Sequence, residues 1–339
     1  MKEFVITDAE QGIRLDKQLL KILNLAGSGF IYKLLRKKNI TLNGRRAEGN
    51  EHLASGDIIR IYLAEDTFNK FSSDRKMKDV MQDTGLIPDI SKIMVYEDDK
   101  LLLVNKPVGI LSQKAAASDV SINELCLRYL IDKKELTSEK LRIFKPSVCN
   151  RLDRNTSGIV IFAKTYSIAA AVNAALKYRT LHKYYLCIAE GRLNETVRYK
   201  GYLRKDRSAN KVYISGEPAE RAAAIETGIK PLKTADSYTL LEVELITGKS
   251  HQIRAQLAAI GHPLLGDVKY GGGIVNNNAQ FLHAYKLVVP EDADTELKYL
   301  AGNTFTATPP VRMENMIRDI FGVDINAYME QQGTAGLYT

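Results

Sequence analysis

One aspartate lies between two arginines in the stretch 151–154, which reads Arg-Leu-Asp-Arg. A Thr-Ser-Gly turn at 156–158 follows, and the apolar run 159–163 after it is short enough to be a buried strand. Asp153 is therefore predicted to lie in a loop that leads into a rigid strand, where catalytic side chains are often held. The guanidinium groups of Arg151 and Arg154 favour its ionised form. Taken alone, such a tetrapeptide is more often an arginine-paired structural turn.

Two further segments carry side chains that could do chemistry. Residues 182–191 predict a strand with paired tyrosines, Tyr184 and Tyr185, which face opposite sides of a sheet. Residues 247–254, Thr-Gly-Lys-Ser-His-Gln-Ile-Arg, predict a tight turn that opens a helix. The first glycine of a phosphate-binding P-loop is absent, because Val243 stands there, so a nucleotide triphosphatase is not predicted.

Composition bounds the class of protein. The chain has 339 residues, 45% of them hydrophobic, which is enough for two or three domains with a substantial core. Its formal net charge of +8 favours a polyanionic partner, most often nucleic acid. The three cysteines are widely spaced and odd in number, which is typical of free thiols in a reducing compartment. No secretory segment or membrane span is evident, so the prediction is a soluble, cytoplasmic protein that binds no membrane.

A metal or a nucleotide cofactor is not predicted either. His251 and His262 have no cysteine or carboxylate at ligand spacing beside them. The Gly-x-Gly-x-x-Gly pattern of dinucleotide sites is also missing.

The first 64 residues are predicted to form a small module of two helices and short strands. Leucines recur at helical spacing between Leu15 and Leu23, and turn residues bound the strands that follow. Six basic residues and no acidic one fall between positions 33 and 46. They are Lys33, Arg36, Lys37, Lys38, Arg45 and Arg46. One or two cations would suit a helix end, but six uncompensated ones favour a phosphate-binding face.

The remaining chain is divided by composition. Residues 65–90 are polar and predict a linker, residues 91–325 predict the main domain, and residues 326–339 predict a disordered tail. Strands outnumber helices and do not alternate regularly with them, which favours a mixed α+β domain with a largely antiparallel sheet. The predicted strands are 159–163, 184–189, 238–246 and 281–288, and the predicted helices are 121–131, 167–178 and 251–260.

Together these motifs closely resemble the RluA-type family of pseudouridine synthases, over nearly the whole chain. The matching motifs are Arg151-Leu152-Asp153 with 156–158, Lys183 with Tyr185, 248–254, Gly266-Asp267 and Leu282-His283-Ala284. Asn150 stands where the family often has histidine, and Ser250 where it often has threonine. The first 64 residues resemble the alpha-L RNA-binding domain of the S-four type. The matching parts there are Arg14-Leu15-Asp16-Lys17, the helix end 33–38, Thr41-Leu42-Asn43-Gly44 and Gly56-Asp57.

The resemblance implies an enzyme that detaches uracil at N1 and rejoins it through C5, without a cofactor or metal. It implies that Asp153 is the catalytic carboxylate, that Arg254 holds it by a charge-assisted contact, and that Tyr185 packs on the target base. Whether Asp153 attacks the ribose C1′ or removes a ribose proton stays open. The other predicted RNA-binding residues are Arg151, Arg154, Lys183, His251, Gln252 and the six cations of the small module.

The predicted substrate is large-subunit ribosomal RNA, because relatives with this alpha-L domain mostly modify it, and transfer RNA is the alternative. Two rival functions are a non-catalytic RNA-binding or ribosome-assembly factor and an enzyme that cleaves the base–sugar bond without rejoining it. Nothing in the sequence demands more than a monomer.

Overall fold

The computed structural model describes residues 1–7, 10–72, 88–116, 118–206, 208–209, 211–275, 279–293 and 295–332. It contains a four-stranded sheet near the N-terminus and an eleven-stranded sheet in the rest of the chain. Each sheet has its own buried apolar clusters.

The N-terminal unit is an antiparallel sheet with the strand order β1-β4-β2-β3, packed against helices. Its strands are β1 (Lys2–Val5), β2 (Ile40–Leu42), β3 (Arg45–Arg46) and β4 (Ile58–Ile61), and its helices are Leu15–Ile22, Ser28–Arg36 and Glu65–Phe71. The leucines at helical spacing are buried as predicted, since Leu15, Leu19 and Leu23 are each 0% exposed.

The linker predicted from residue 65 begins too early. Residues Glu65–Phe71 form a helix whose Phe68 is buried in the core of the N-terminal unit. The ring of Phe71 lies 4.3 Å from that of Phe30. The burial of Phe68 and the ring contact of Phe71 stabilise a helix in this segment despite its polar composition. Residues 73–87 of the predicted linker lie outside the described residues.

The large sheet confirms the predicted mixed α+β class. Its strands follow the order β11-β10-β12-β13-β9-β14-β8-β6-β5, with β15 beside β14 and β7 beside β8. Those strands are β5 (Met94–Glu97), β6 (Leu101–Lys106), β7 (Ser147–Val148), β8 (Ser157–Ala163), β9 (His182–Glu190), β10 (Val197–Asp206), β11 (Lys211–Ser215), β12 (Ala223–Thr234), β13 (Tyr238–Leu245), β14 (Leu282–Val288) and β15 (Thr304–Thr306). Among the pairs that the structure describes, β8 with β14 is parallel and the others are antiparallel.

Helices cover both faces of this sheet. They are Ile122–Asp132, Ser138–Ile143, Tyr166–Tyr178, Gln252–Ala259, Val311–Phe321 and Ile325–Gln332. Side chains alternate along β9, so Tyr185 and Cys187 join one apolar cluster while Leu186 and Ile188 join another. No helix among the described residues has the length and apolar character needed to cross a bilayer.

The predicted disordered tail is also corrected. Residues Ile325–Gln332 form a helix, and Ile325 and Met329 are buried beside the helix Val311–Phe321. These apolar residues, four apart, lie on one helical face, which gives the segment a surface to bury. Residues 333–339 lie outside the described part of the chain.

Gly158 allows β8 to approach β14 closely. Its φ is +116°, and a Cβ added there would lie 2.2 Å from the carbonyl oxygen of Ala284. Glycine is therefore required at the third position of the Thr-Ser-Gly turn for both backbone conformation and space.

We predict that Gly158→Ala lowers the free energy of unfolding by more than about 3 kcal/mol, because the methyl group meets backbone and the φ is unfavourable. Urea denaturation measures this. Gly216→Ala is the matched control, since a Cβ there meets no atom within 4 Å. Equal stability of the two variants would contradict the argument.

Candidate active site

Asp153 lies in a cleft of about 980 Å³. The cleft is lined by the loop 149–156, by residues 245–254 at the end of β13 and the start of the next helix, and by Lys183 and Tyr185 of β9. The side chain of Asp153 is 26% exposed, so it is sheltered but reachable. The fold therefore brings the three sequence motifs to one place.

Arg254 connects two carboxylates. Its Nη1 donates to Oδ2 of Asp153 at 2.8 Å. Its Nε and Nη2 donate to the two oxygens of Asp267 at 2.6 and 2.8 Å. The Asp267 side chain is 1% exposed, so this bidentate pair is fully withdrawn from water. The guanidinium can therefore hold Asp153 in one orientation.

The surroundings keep Arg254 charged. Burial lowers the pKa of its guanidinium, but the hydrogen bonds and charge of Asp267, with Asp153, outweigh burial and raise that pKa above its ordinary value. The guanidinium carbon also lies 5.1 Å from the ring centre of Tyr270, a cation–π distance. Tyr270 in turn contacts Nδ1 of His251 through its hydroxyl at 2.9 Å.

His251 borders the same carboxylate oxygen of Asp153 as Arg254. Its Nε2 lies 3.8 Å from Oδ2 of Asp153. Burial lowers the pKa of its imidazole, and the negative charge of Asp153 opposes that effect. The residue has a φ of +55° at the start of the helix Gln252–Ala259, which turns its ring into the cleft.

Backbone contacts fix the loop that carries Asp153. Ser112 Oγ accepts from the amide of Leu152 at 2.9 Å and donates to the Leu152 carbonyl at 3.0 Å. The ammonium of Lys106 donates to the carbonyls of Pro107, Ile110 and Arg154 at 2.9, 2.7 and 3.1 Å. Backbone groups of both neighbours of Asp153, Leu152 and Arg154, are thus held, which limits the movement of the loop.

Lys106 is a site residue that the sequence analysis missed. It is 0% exposed, and burial lowers the pKa of its ammonium to about 7, while the charge of Asp153 opposes the shift. Its three acceptors match the three N–H donors of an ammonium group. Lys106 is the last residue of the apolar strand β6, where a lysine is usually exposed, so no local pattern indicated that it is buried.

Tyr185 and Lys183 face the cleft from β9. Tyr185 is 5% exposed, and burial, followed by the charge of Asp153, raises the pKa of its phenol. It is therefore neutral near pH 7. Tyr184 faces the opposite side of the sheet, where the Lys286 ammonium lies 4.3 Å from its ring centre.

Comparisons with known proteins show the family to which this chain belongs. The family model of RNA pseudouridylate synthases matches residues 100–259. An uncharacterized RNA pseudouridine synthase of Mycoplasma pneumoniae is 31% identical over 290 residues, which cover 83% of this chain and 85% of that protein. A ribosomal large subunit pseudouridine synthase C of Rickettsia conorii is 31% identical over 284 residues, which cover 82% of this chain and 89% of that protein. The chain belongs to the RluA-type family of RNA pseudouridine synthases.

The resemblance inferred from the motifs is thereby confirmed, and with it the class of enzyme. A solved structure of human RNA pseudouridylate synthase domain containing 4 superposes with a TM-score of 0.54 at 19% identity. It covers 68% of this chain and 93% of that one. At that identity the superposition supports the fold, including the antiparallel sheet.

The predicted RNA-binding residues of this RNA pseudouridine synthase fall into two groups. Arg151 and Arg154 are exposed at the cleft, and Lys183 and His251 are half-buried inside it. The six cations between Lys33 and Arg46 do not line the cleft; they are all exposed on the N-terminal unit. Within the described residues none of the six has a carboxylate within 4.0 Å.

Gln252 has a different role from the one predicted. It is 2% exposed, and its amide oxygen accepts from Thr247 and Lys249. Its amide nitrogen donates to the Glu226 carbonyl and to the Thr227 hydroxyl. An amide with both ends engaged has little capacity left for RNA, so the assignment is corrected: Gln252 holds the turn before the helix.

Further cations line the cleft, and all of them except Lys249, which belongs to the 248–254 motif, lie outside the matched motifs. They are Lys177, Arg179, Lys205, Lys249 and Lys269. They come from the end of one helix, from β10 and from two turns, so only the fold brings them together.

Two residues in the matched segments, Asn150 and His283, make hydrogen bonds that stabilise the large sheet. Asn150 donates to the carbonyl of Ile159 and accepts from the amide of Ile161, which ties the Asp153 loop to β8. His283 is 0% exposed and bridges Ser157 and the Ala307 carbonyl at 2.8 Å each. Burial lowers its pKa to about 4, and the Ala307 contact opposes the shift.

The histidines and cysteines of the described residues do not gather as a metal centre. No group of three or more His, Cys, Asp or Glu side chains suited to a metal ion occurs within the described ranges. His262 contacts the Glu190 carbonyl at 2.8 Å, away from His251. Cys126 and Cys187 are buried and Cys149 is half-buried, all as free thiols.

We predict that Lys106→Met lowers the free energy of unfolding by about 3 kcal/mol or more, because the ammonium, at a position that is 0% exposed, no longer donates to the carbonyls of Pro107, Ile110 and Arg154. Turnover should fall as well, since the Arg154 carbonyl, one residue after Asp153, loses one of its two donors and keeps only the amide of Gly109. Thermal or urea denaturation and a pseudouridine assay measure the two effects. Lys100→Met is the matched control, because its side chain is 47% exposed and makes a surface ion pair with Glu296. Similar behaviour of both variants would refute the clamp.

Proposed function

We propose that this enzyme isomerises specific uridines of large-subunit ribosomal RNA, with Asp153 as its catalytic carboxylate. The observation that carries the proposal is the 2.8 Å contact between Arg254 and Asp153 inside the cleft, with Arg254 itself held by Asp267. Breaking a glycosidic bond develops positive charge on the sugar, and an ionised, immobile carboxylate can stabilise or capture it.

The reaction conserves every atom of the uridine except for a proton exchange at C5. The bond from C1′ to N1 breaks, the uracil turns, and a bond from C1′ to C5 forms. The C5 proton is then lost and N1 gains one. Asp153 either bonds transiently to C1′ or removes a ribose proton, and both routes need the carboxylate close to the sugar.

The cleft supports an extruded base. A uridine in a stem cannot reach a carboxylate that lies inside a cleft, so the target nucleotide must leave its stack. Tyr185 is proposed to pack on that base, since it lines the cleft beside Asp153. The exposed Arg151 and Arg154 are proposed to hold the flanking phosphates.

Ribosomal RNA is favoured by the relatives, since two Rickettsia proteins that are 31% identical to this chain are named ribosomal large subunit pseudouridine synthase C. The uncompensated cations from Lys33 to Arg46 suit a second, electrostatic grip on folded RNA. That unit, an alpha-L domain by resemblance, is proposed to bind outside the target site. Transfer RNA is the second candidate substrate.

The first prediction from this proposal concerns Asp153 in cells. Pseudouridine is mapped by mass spectrometry and chemical probing in ribosomal and transfer RNA, in cells with the wild-type gene, with Asp153→Ala, and with no gene. We expect specific ribosomal sites to vanish in both altered strains.

Each other outcome has a defined meaning. Sites that vanish only on deletion would exclude Asp153 as the catalytic group, and sites confined to transfer RNA would replace the substrate. Abasic products would indicate cleavage without rejoining. If every site persisted in both strains, RNA binding without catalysis would be the function.

The second prediction uses the neighbouring tyrosines as a matched pair. Tyr185→Phe should lower single-turnover rates by about tenfold or more, because the phenol beside Asp153 can assist proton transfer at C5. Tyr184→Phe, on the other face of β9, should leave the rate within about twofold. If Tyr184→Phe were the slower of the two enzymes in the same assay, the proposal would have chosen the wrong tyrosine.

A further inference from the structure

No residue that the structure describes neutralises the charge of Lys183. It lies two residues before Tyr185 on β9, so both side chains face the same side of the sheet and line the cleft. Its ammonium is half-buried and has no hydrogen-bond or carboxylate partner within the part of the chain that the structure describes. Burial lowers the pKa of this ammonium, so an incoming negative charge would be stabilised there.

The position of the ammonium is defined by the opposite wall. A Cβ added at Gly248 would lie 3.4 Å from Nζ of Lys183. The ammonium therefore sits between β9 and the turn that precedes His251. Because Arg254 already contacts Asp153 at 2.8 Å, Lys183 is not needed to neutralise the carboxylate.

Lys183 is less exposed than the cations at the cleft rim. Lys177, Arg179, Lys205 and Lys249 are exposed, as suits contacts with phosphates that remain hydrated. Lys183 lies inside, on the same strand face as the tyrosine proposed to pack on the base. Its neighbour in the bound state is then the base itself.

We propose that Lys183 binds the uracil anion that forms when the bond from C1′ to N1 breaks. The electron pair of that bond moves to N1 and spreads to the two carbonyl oxygens of the ring. An ammonium held beside the ring favours this charge separation without giving up a proton. When C5 bonds to C1′, the ring becomes neutral and the contact weakens, and the later loss of the C5 proton is balanced by the proton that N1 gains. This inference rests on the proposed role of Asp153.

The test compares two leaving groups. Transcripts of the target RNA carry uridine or 5-fluorouridine at the modified position; fluorine withdraws electrons and makes the departing base a more stable anion. The measurement is single-turnover loss of the starting nucleoside after nuclease digestion, because fluorinated C5 has no proton to lose. The enzymes are wild type, Lys183→Met, Lys183→Gln and Lys183→Arg, each checked for folding by thermal melting.

We expect Lys183→Met to slow loss of uridine by about 100-fold but loss of 5-fluorouridine by less than about tenfold. Lys183→Arg, which keeps the charge, should recover most of the uridine rate, whereas Lys183→Gln should not. Lys205→Met is the matched control at the rim: it should weaken RNA binding and its salt dependence while slowing both nucleosides equally.

Equal losses for the two nucleosides with Lys183→Met would overturn the proposal and assign the lysine to a phosphate or to folding. If Lys183→Met did not melt cooperatively, the Gln and Arg variants would decide by the same ratio. Asp153→Ala in the same assay separates the two hypotheses, because an active Asp153→Ala enzyme would refute the proposed function whatever Lys183 does.

Discussion

Arg254 shares its guanidinium between Asp153 and Asp267, and the placement of the candidate active site depends on this shared ion pair. Without the guanidinium between them, the two carboxylates would repel each other. Because Arg254 is 8% exposed and the Asp267 side chain is 1% exposed, loss of Arg254 would leave two carboxylates without their shared cation, one of them away from water, which is far more costly than breaking a surface pair. The bidentate side fixes the arginine, and the third nitrogen then fixes Asp153.

The rest of the fold supplies what that ion pair needs. Asp153 and Arg254 are 101 residues apart, so the sheet must bring a loop before β8 and a helix after β13 together. At Gly158, β8 approaches β14 closely, and this contact positions the strand that directly follows the loop. Lys106 and Ser112 then hold its peptides. A carboxylate is thereby kept still by backbone contacts that need no movement when substrate binds.

Sequence patterns predicted the strands and helices that bury continuous apolar runs, such as Ser157–Ala163 and Tyr166–Tyr178, because burial on that scale leaves a clear period. They missed β10 to β12, which carry charged residues on an exposed face and signal strand only through long-range pairing. The local pattern made Asp153 a candidate, whereas Tyr185 and Arg254 were predicted as catalytic residues only by resemblance, since no local rule relates residues so far apart. Buried polar roles escaped prediction: Gln252 was taken for a ligand, and Lys106 was not noticed.

The cleft must attract negatively charged RNA although it contains a carboxylate of its own. A protein of net charge +8 attracts RNA phosphates, and each phosphate would repel the carboxylate of Asp153 if it came close. Depth and pairing resolve the conflict, because the rim cations Lys177, Arg179, Lys205 and Lys249 are exposed whereas Asp153 lies inside against Arg254. Exposed charges are screened over about 8–10 Å at physiological salt, whereas buried pairs are screened much less. Under the proposed function, added salt is therefore expected to weaken RNA binding through the rim cations and to leave the contact between Arg254 and Asp153 intact.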